Sequence, residues 1–192
     1  MRKKKVIWKP NDVFAIPLIN GKYAIGHVLD QNFPNAVRIA LYDEVINNFE
    51  NTDITGLIDN NSLISLIEVT REQLDYGVWK AIGSKRTAIP IDKYANEQFR
   101  KNKMINSIVY DAGLAEDFVN SFYGLLPWDD WYDPNYLDEF LISLSKKPNN
   151  LLYKKYHNRK IHTMSHGTNL SSHPIPWIHV SSQVVPWDIQ EK

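Results

Sequence analysis

Asp12-Val13-Phe14-Ala15-Ile16-Pro17-Leu18, then Asn20-Gly21, then Tyr23-Ala24-Ile25-Gly26-His27-Val28-Leu29 is the stretch that decides how this chain begins to fold. Two β-prone apolar runs flank a dipeptide whose residues both tolerate positive φ, which is the strongest short signal for a β-hairpin. Pro17 cannot donate to a ladder and belongs at a strand end or an edge. Gly26, inside the second run, marks a bulge or a close approach of other atoms to the backbone.

Working outward, Ala36 to Tyr42 reads as a third strand after the turn-rich Asn32-Phe33-Pro34-Asn35. Asp43 to Asn61 is polar and Asn-rich and reads as a loop with short ordered pieces. Strand character returns over Ser62 to Thr70 and, briefly, over Trp79 to Ile82, closed by Gly83. The second half changes period. Leu114, Phe118, Val119 and Phe122 are spaced for a helix over Gly113 to Tyr123. A second helix is expected after Asp133 as N-cap and Pro134 at the first position, with Leu137, Phe140, Leu141 and Leu144 as its apolar stripe and Pro148 beyond its end. The fold class expected is α+β. A strongly bent antiparallel sheet or small partly open barrel of about five strands leads, followed by two helices and an irregular C-terminal tail. Residues 1–150 are expected to form the domain, and 151–192, rich in Ser, His and Pro, an extension packed on it or partly mobile.

Composition bounds the function. The chain has 192 residues, 43% of them hydrophobic and 23% charged, enough for a core without staples. It has no cysteine, which removes disulfides, thiol nucleophiles and thiolate metal sites. Met1-Arg2-Lys3-Lys4-Lys5 opens like a signal peptide, but Trp8-Lys9-Pro10-Asn11-Asp12 interrupts the apolar run it would need. No apolar run approaches the roughly 18 residues of a membrane span, so a cytoplasmic location and no membrane partner are expected.

Net charge is zero, yet the charges are in blocks. Met104 to Ser145 contains no Lys or Arg and eight acids, whereas Phe140 to Trp187 contains no acid and holds Lys146, Lys147, Lys154, Lys155, Arg159 and Lys160. Either the blocks face each other or stay solvated, or one meets a charged partner. Within the acidic block, Trp128-Asp129-Asp130-Trp131-Tyr132-Asp133 alternates aromatics with acids. Trp and Tyr dominate binding hot spots, and acids add charge selectivity. Trp128, Asp129, Asp130, Trp131 and Asp133 are therefore the candidate partner-binding residues. The competing reading puts the tryptophans in the core and the aspartates at helix caps.

Catalytic constellations are absent from the sequence pattern. No Gly-x-Ser-x-Gly elbow, dinucleotide fingerprint or P-loop occurs, and Ser165-His166 and Asp129-Asp130 are neighbours in sequence without a third group. Five of the six histidines, His157, His162, His166, His173 and His179, crowd the tail. Imidazoles suit zinc, copper or nickel. However, the His162/His166 spacing lacks the glutamate of a zinc-hydrolase helix. His157, His162 and His166 are the weak metal candidates, and no catalytic residue, metal or cofactor is expected.

Lys9-Pro10-Asn11-Asp12-Val13-Phe14-Ala15-Ile16-Pro17-Leu18 and Asn20-Gly21-Lys22-Tyr23-Ala24-Ile25-Gly26-His27-Val28-Leu29 resemble the opening of the immunity protein 26 family, bacterial proteins of polymorphic-toxin systems. Trp79-Lys80-Ala81-Ile82-Gly83 is similar to a later element of that family, and Asp133-Pro134-Asn135-Tyr136-Leu137 to another. The family more often carries Arg where His27 stands. The resemblance implies an antitoxin-like protein that binds a cognate toxin in the cytoplasm and blocks it, with no catalytic residue to carry over. A small-barrel nucleic-acid module using the N-terminal arm and Lys146 to Lys160 is the alternative, disfavoured by the acidic block. A metal-dependent hydrolase using the tail histidines is a further one. Oligomeric state is left open.

Overall fold

In a computed structural model, residues 5–50 and 52–154 are described. The tail histidines His157, His162, His166, His173 and His179 lie outside them, as do Trp177 and Trp187.

The quoted hairpin is present. β1 (Asp12–Pro17) pairs antiparallel with β2 (Tyr23–Phe33), with Pro17 opposite Tyr23 at the strand end. The turn is closed by Gly21 N–H donating to Leu18 O (3.0 Å) and Leu18 N–H donating to Lys22 O (2.8 Å), with Gly21 at φ +82°. β3 (Ala36–Ile46), β4 (Leu63–Thr70) and β5 (Lys80–Ser84) complete one antiparallel sheet in the order β4-β3-β2-β1-β5. Register shifts interrupt β1/β5, β2/β3 and β3/β4. Each adds local bend and twist. β4 and β5 remain the two outer strands, so the sheet is bent but open.

Both faces are covered, which is why β1 reads as a continuous apolar run rather than an alternation. Phe14, Ile16, Val28, Ile39, Leu41 and Val69 pack on one face beneath α2 (Ala112–Phe122), Trp79, Trp128 and Phe140. Val13, Ile25, Leu29, Ala40 and Tyr42 pack on the other, beneath Ile89 and Tyr94. Phe14 and Trp79 stack with centroids 5.1 Å apart and planes 2° from parallel. Gly26 makes room for this stack: a Cβ there would lie 2.3 Å from Phe14 ring carbons. The short helix α1 (Glu72–Asp75) leads into Trp79, and its Asp75 accepts from Lys5 Nζ (2.6 Å), Trp8 Nε1 (2.8 Å) and Arg71 Nε (3.0 Å).

The second face also buries a polar network. Arg38 has no accessible surface; it donates to both carboxylate oxygens of Asp30 and to Glu97 Oε2 (2.6 Å). Burial alone would lower the Arg38 pKa, but these bonds outweigh it and raise it. Glu97 is pulled down to about 2 by Arg100 and then Arg38. Asn96, in the left-handed region at φ +62°, donates from Nδ2 to Glu68 Oε2 (2.6 Å) and Ile108 O (2.8 Å). Burial pushes the Glu68 carboxyl up, against the bonds from Asn96 and Asn32.

The expected second helix is corrected. α2 forms, capped by Asp111 accepting from Gly113 N–H (2.7 Å). After Asp133, however, the chain makes a 3₁₀ segment, Tyr136–Phe140. Its bonds run from Tyr136 N–H to Asp133 O, from Asp138 N–H to Asn135 O and from Leu141 N–H to Asp138 O. Residues three apart eclipse in such a segment, so Leu137 and Phe140 alone of the stripe are buried, while Leu144 is 66% exposed. Ile142 N–H then donates to Ile64 O (2.9 Å), on the outer strand β4. A sheet-edge bond has displaced the next helical turn.

Candidate docking surface

The Trp/Asp loop starts where α2 ends. Gly124, at φ +67°, turns the chain back, and Leu125 N–H donates to Asn120 O (2.8 Å). Ser121 Oγ reaches Pro127 O (3.4 Å), so the loop is pinned along the last turn of α2.

The five sequence-predicted residues come to one place but not to one role. Trp128 has no accessible surface. Its indole packs on Phe118 (centroids 5.9 Å), its Nε1–H donates to Asp138 Oδ1 (2.7 Å), and Lys147 Nζ lies 5.3 Å from its ring. Trp128 thus packs in the core, as the competing reading of the tryptophans had it. Asp129 is 7% exposed, and its Oδ1 accepts from Lys154 N–H (2.6 Å), which stitches the loop to the chain beyond the isolated bridge Pro127–Leu152. It too is structural.

Asp130 and Asp133 face outward, while Trp131 packs one side against the core. Asp130 pairs with Lys154, both side chains well exposed. Trp131 is half-buried and rests on Tyr136 with centroids 5.3 Å apart. Asp133 is exposed, and its Oδ1 accepts from Asn135 N–H (2.8 Å), which opens the 3₁₀ segment. Tyr132, which the sequence reading had only as part of the motif, is fully exposed, at 100%. Beside the loop, Asp117 and Ser121 of α2 join Leu126, Pro127, Asp130 and Trp131 around a depression of about 150 Å³. Asp117 belongs to this surface and was missed, because in the sequence it is one acid of a helix thirteen residues upstream of Asp130. Burial pushes its carboxyl up.

The charge blocks meet in part. Lys147 pairs with Asp138 (2.6 Å) and Lys154 with Asp130, while Lys146 Nζ donates to Asn61 O (2.6 Å). Asp111, Asp117, Asp133 and Glu139 have no ion-pair partner among the described residues. Of the acids in the block, Asp117 and Asp130 are the two that border the depression beside Trp131.

His27 does not belong to any outer surface. It is fully buried, its Nε2–H donates to Lys85 O (2.8 Å), and burial lowers its pKa. Among the described residues, no three His, Asp or Glu are placed to hold a metal ion, and no helix is long and apolar enough to cross a membrane.

The described residues thus form an open, bent antiparallel sheet with a helix on one face and an aromatic-acidic loop beyond it. The family model described as immunity protein 26 matches residues 9–104, half of the chain. The chain belongs to this family. The match spans β1 to β5 and the first two 3₁₀ segments beyond β5, Ile91–Lys93 and Glu97–Asn102; the Trp/Asp loop lies after it. No curated protein and no solved structure matches.

Proposed function

We propose that the protein binds a cognate toxin in the cytoplasm and blocks its active site stoichiometrically, catalysing nothing itself. Membership of the immunity protein 26 family carries this reading. The surface proposed to dock is Asp130, Trp131 and Asp133, extended by Tyr132 and Asp117. Trp128 and Asp129 hold the loop in place from behind. A toxin with a basic cleft, such as a nuclease, fits it best: carboxylates take the places of phosphates, and Trp131 and Tyr132 supply contact area at small entropy cost. A standard interface of about 800 Å² per partner is enough to cover a cleft. The basic residues near the loop support a protein partner over nucleic acid, because Lys146, Lys147 and Lys154 are already engaged by acceptors of this chain.

Titrating the protein into its toxin tests the mechanism. Toxin activity should fall linearly to zero at one equivalent. Complete loss at a small fraction of an equivalent would mean turnover, and residual activity in excess would mean that the active site stays open.

A further inference from the structure

The segment that follows β5 walls a polar cup of about 280 Å³ on the second face of the sheet. Tyr42, Thr55, Asp59, Lys85, Arg86 and Thr87 are among its lining residues. Tyr42 is only 3% exposed, and it lines the cup. Its hydroxyl is a donor that a ligand in the cup can engage in place of water. Burial pushes its pKa far up, so it stays a donor.

The cationic wall is built rather than incidental. Lys85 N–H donates to Asn11 O (2.9 Å) and Thr87 N–H to Asn11 Oδ1 (3.2 Å), while the buried His27 holds Lys85 O from below. Asn11 sits at φ +73° to make both bonds. Lys85 Nζ gives one N–H to Thr55 O (2.7 Å), which leaves two. Arg86 is exposed and has no ion-pair partner among the described residues. The opposing acid, Asp59, already spends Oδ1 on Asn61 N–H (2.8 Å).

We propose that this cup binds a small oxyanion, a carboxylate or a phosphate, on the Tyr42 hydroxyl and the side chains of Lys85 and Arg86. The acceptor engages the phenol donor, and the two cations supply the charge-assisted bonds that make such contacts strong. The inference is independent of the toxin-docking loop.

The test is an NMR titration of the full chain with acetate and, separately, inorganic phosphate, each against chloride at matched ionic strength. Saturating shifts confined to Tyr42, Thr55 and residues 85–87 are expected. Tyr42→Phe, which removes the hydroxyl, and Arg86→Gln should each weaken binding by about tenfold. Asp59→Asn should tighten it by removing the negative charge that lines the cup. Saturation by acetate alone identifies a carboxylate as the occupant, and by phosphate alone a phosphate; either supports the cup. Shifts that never saturate, that chloride reproduces, or that Tyr42→Phe leaves unchanged overturn it.

Discussion

The ring of Phe14 lies against the α-carbon of Gly26 on the neighbouring strand, leaving no room for even a methyl group. The contact lets Phe14 lie flat beneath Trp79, whose Nε1–H is anchored to Glu116 Oε1 on α2 (2.8 Å). One glycine thus sets the spacing of β1, β2, the α1–β5 connection and α2. Gly26→Ala should destabilise the fold by about 1–3 kcal/mol through overpacking. Urea unfolding checks this; a midpoint equal to that of the native sequence would show that the ring can move aside.

Trp128 and Trp131 should separate stability from binding. Trp128→Ala removes a fully buried indole and should cost about 3–5 kcal/mol. Trp131→Ala removes a partly buried ring that packs on Tyr136, and should lower the melting temperature less than Trp128→Ala while weakening the toxin complex. Thermal denaturation beside calorimetric titration with toxin distinguishes them, and equal binding losses for the two at equal fold content would place the interface elsewhere.

Charge on the outer part of the loop should act on encounter. Asp130→Asn with Asp133→Asn should slow association and flatten its dependence on salt, with a smaller effect on dissociation. Asp129 stays untouched in this variant, because its carboxylate holds Lys154 N–H. Stopped-flow association from low to high ionic strength reads the outcome.

The Arg38 network should make stability depend on acid. Glu97 titrates near 2 when folded, below its usual value when unfolded. Its contribution is therefore present above the unfolded pKa and is lost as pH falls through the folded one, over about pH 4.5 to 2. Glu97→Gln should flatten the pH dependence of the urea midpoint in that window. Arg38→Met should be worse than Glu97→Gln at pH 7, because it leaves Asp30 and Glu97 without their shared cation.

Much of the sheet could be read in the chain before any coordinates. The Asn20-Gly21 turn and the apolar runs around it located β1 and the start of β2 because local propensity and burial agree there. The strands were read too short: Asp30 to Phe33 and Asp43 to Ile46 look like loop, yet they continue β2 and β3. Asp30 is strand-compatible because Arg38, eight residues away, neutralises it. Leu141 and Leu144 misled in the other direction. Their helical spacing is real, but Ile142 joins the sheet edge, a long-range bond that no local period records. At the docking surface, the composition of the loop was legible and its orientation was not. Which of two tryptophans turns inward depends on Phe118 and Asp138, partners set by packing.

The outer strand β4 already has company along much of its length: Ile64 O accepts from Ile142, Glu68 O from Tyr110, and Thr70 N–H donates to Tyr110 O. The opposite rim, β5, is only five residues long. A protein sheltered in this way offers little template for copies of itself to stack strand upon strand. On the proposed function, it can accumulate to the excess that one-to-one blocking demands without seeding fibrils.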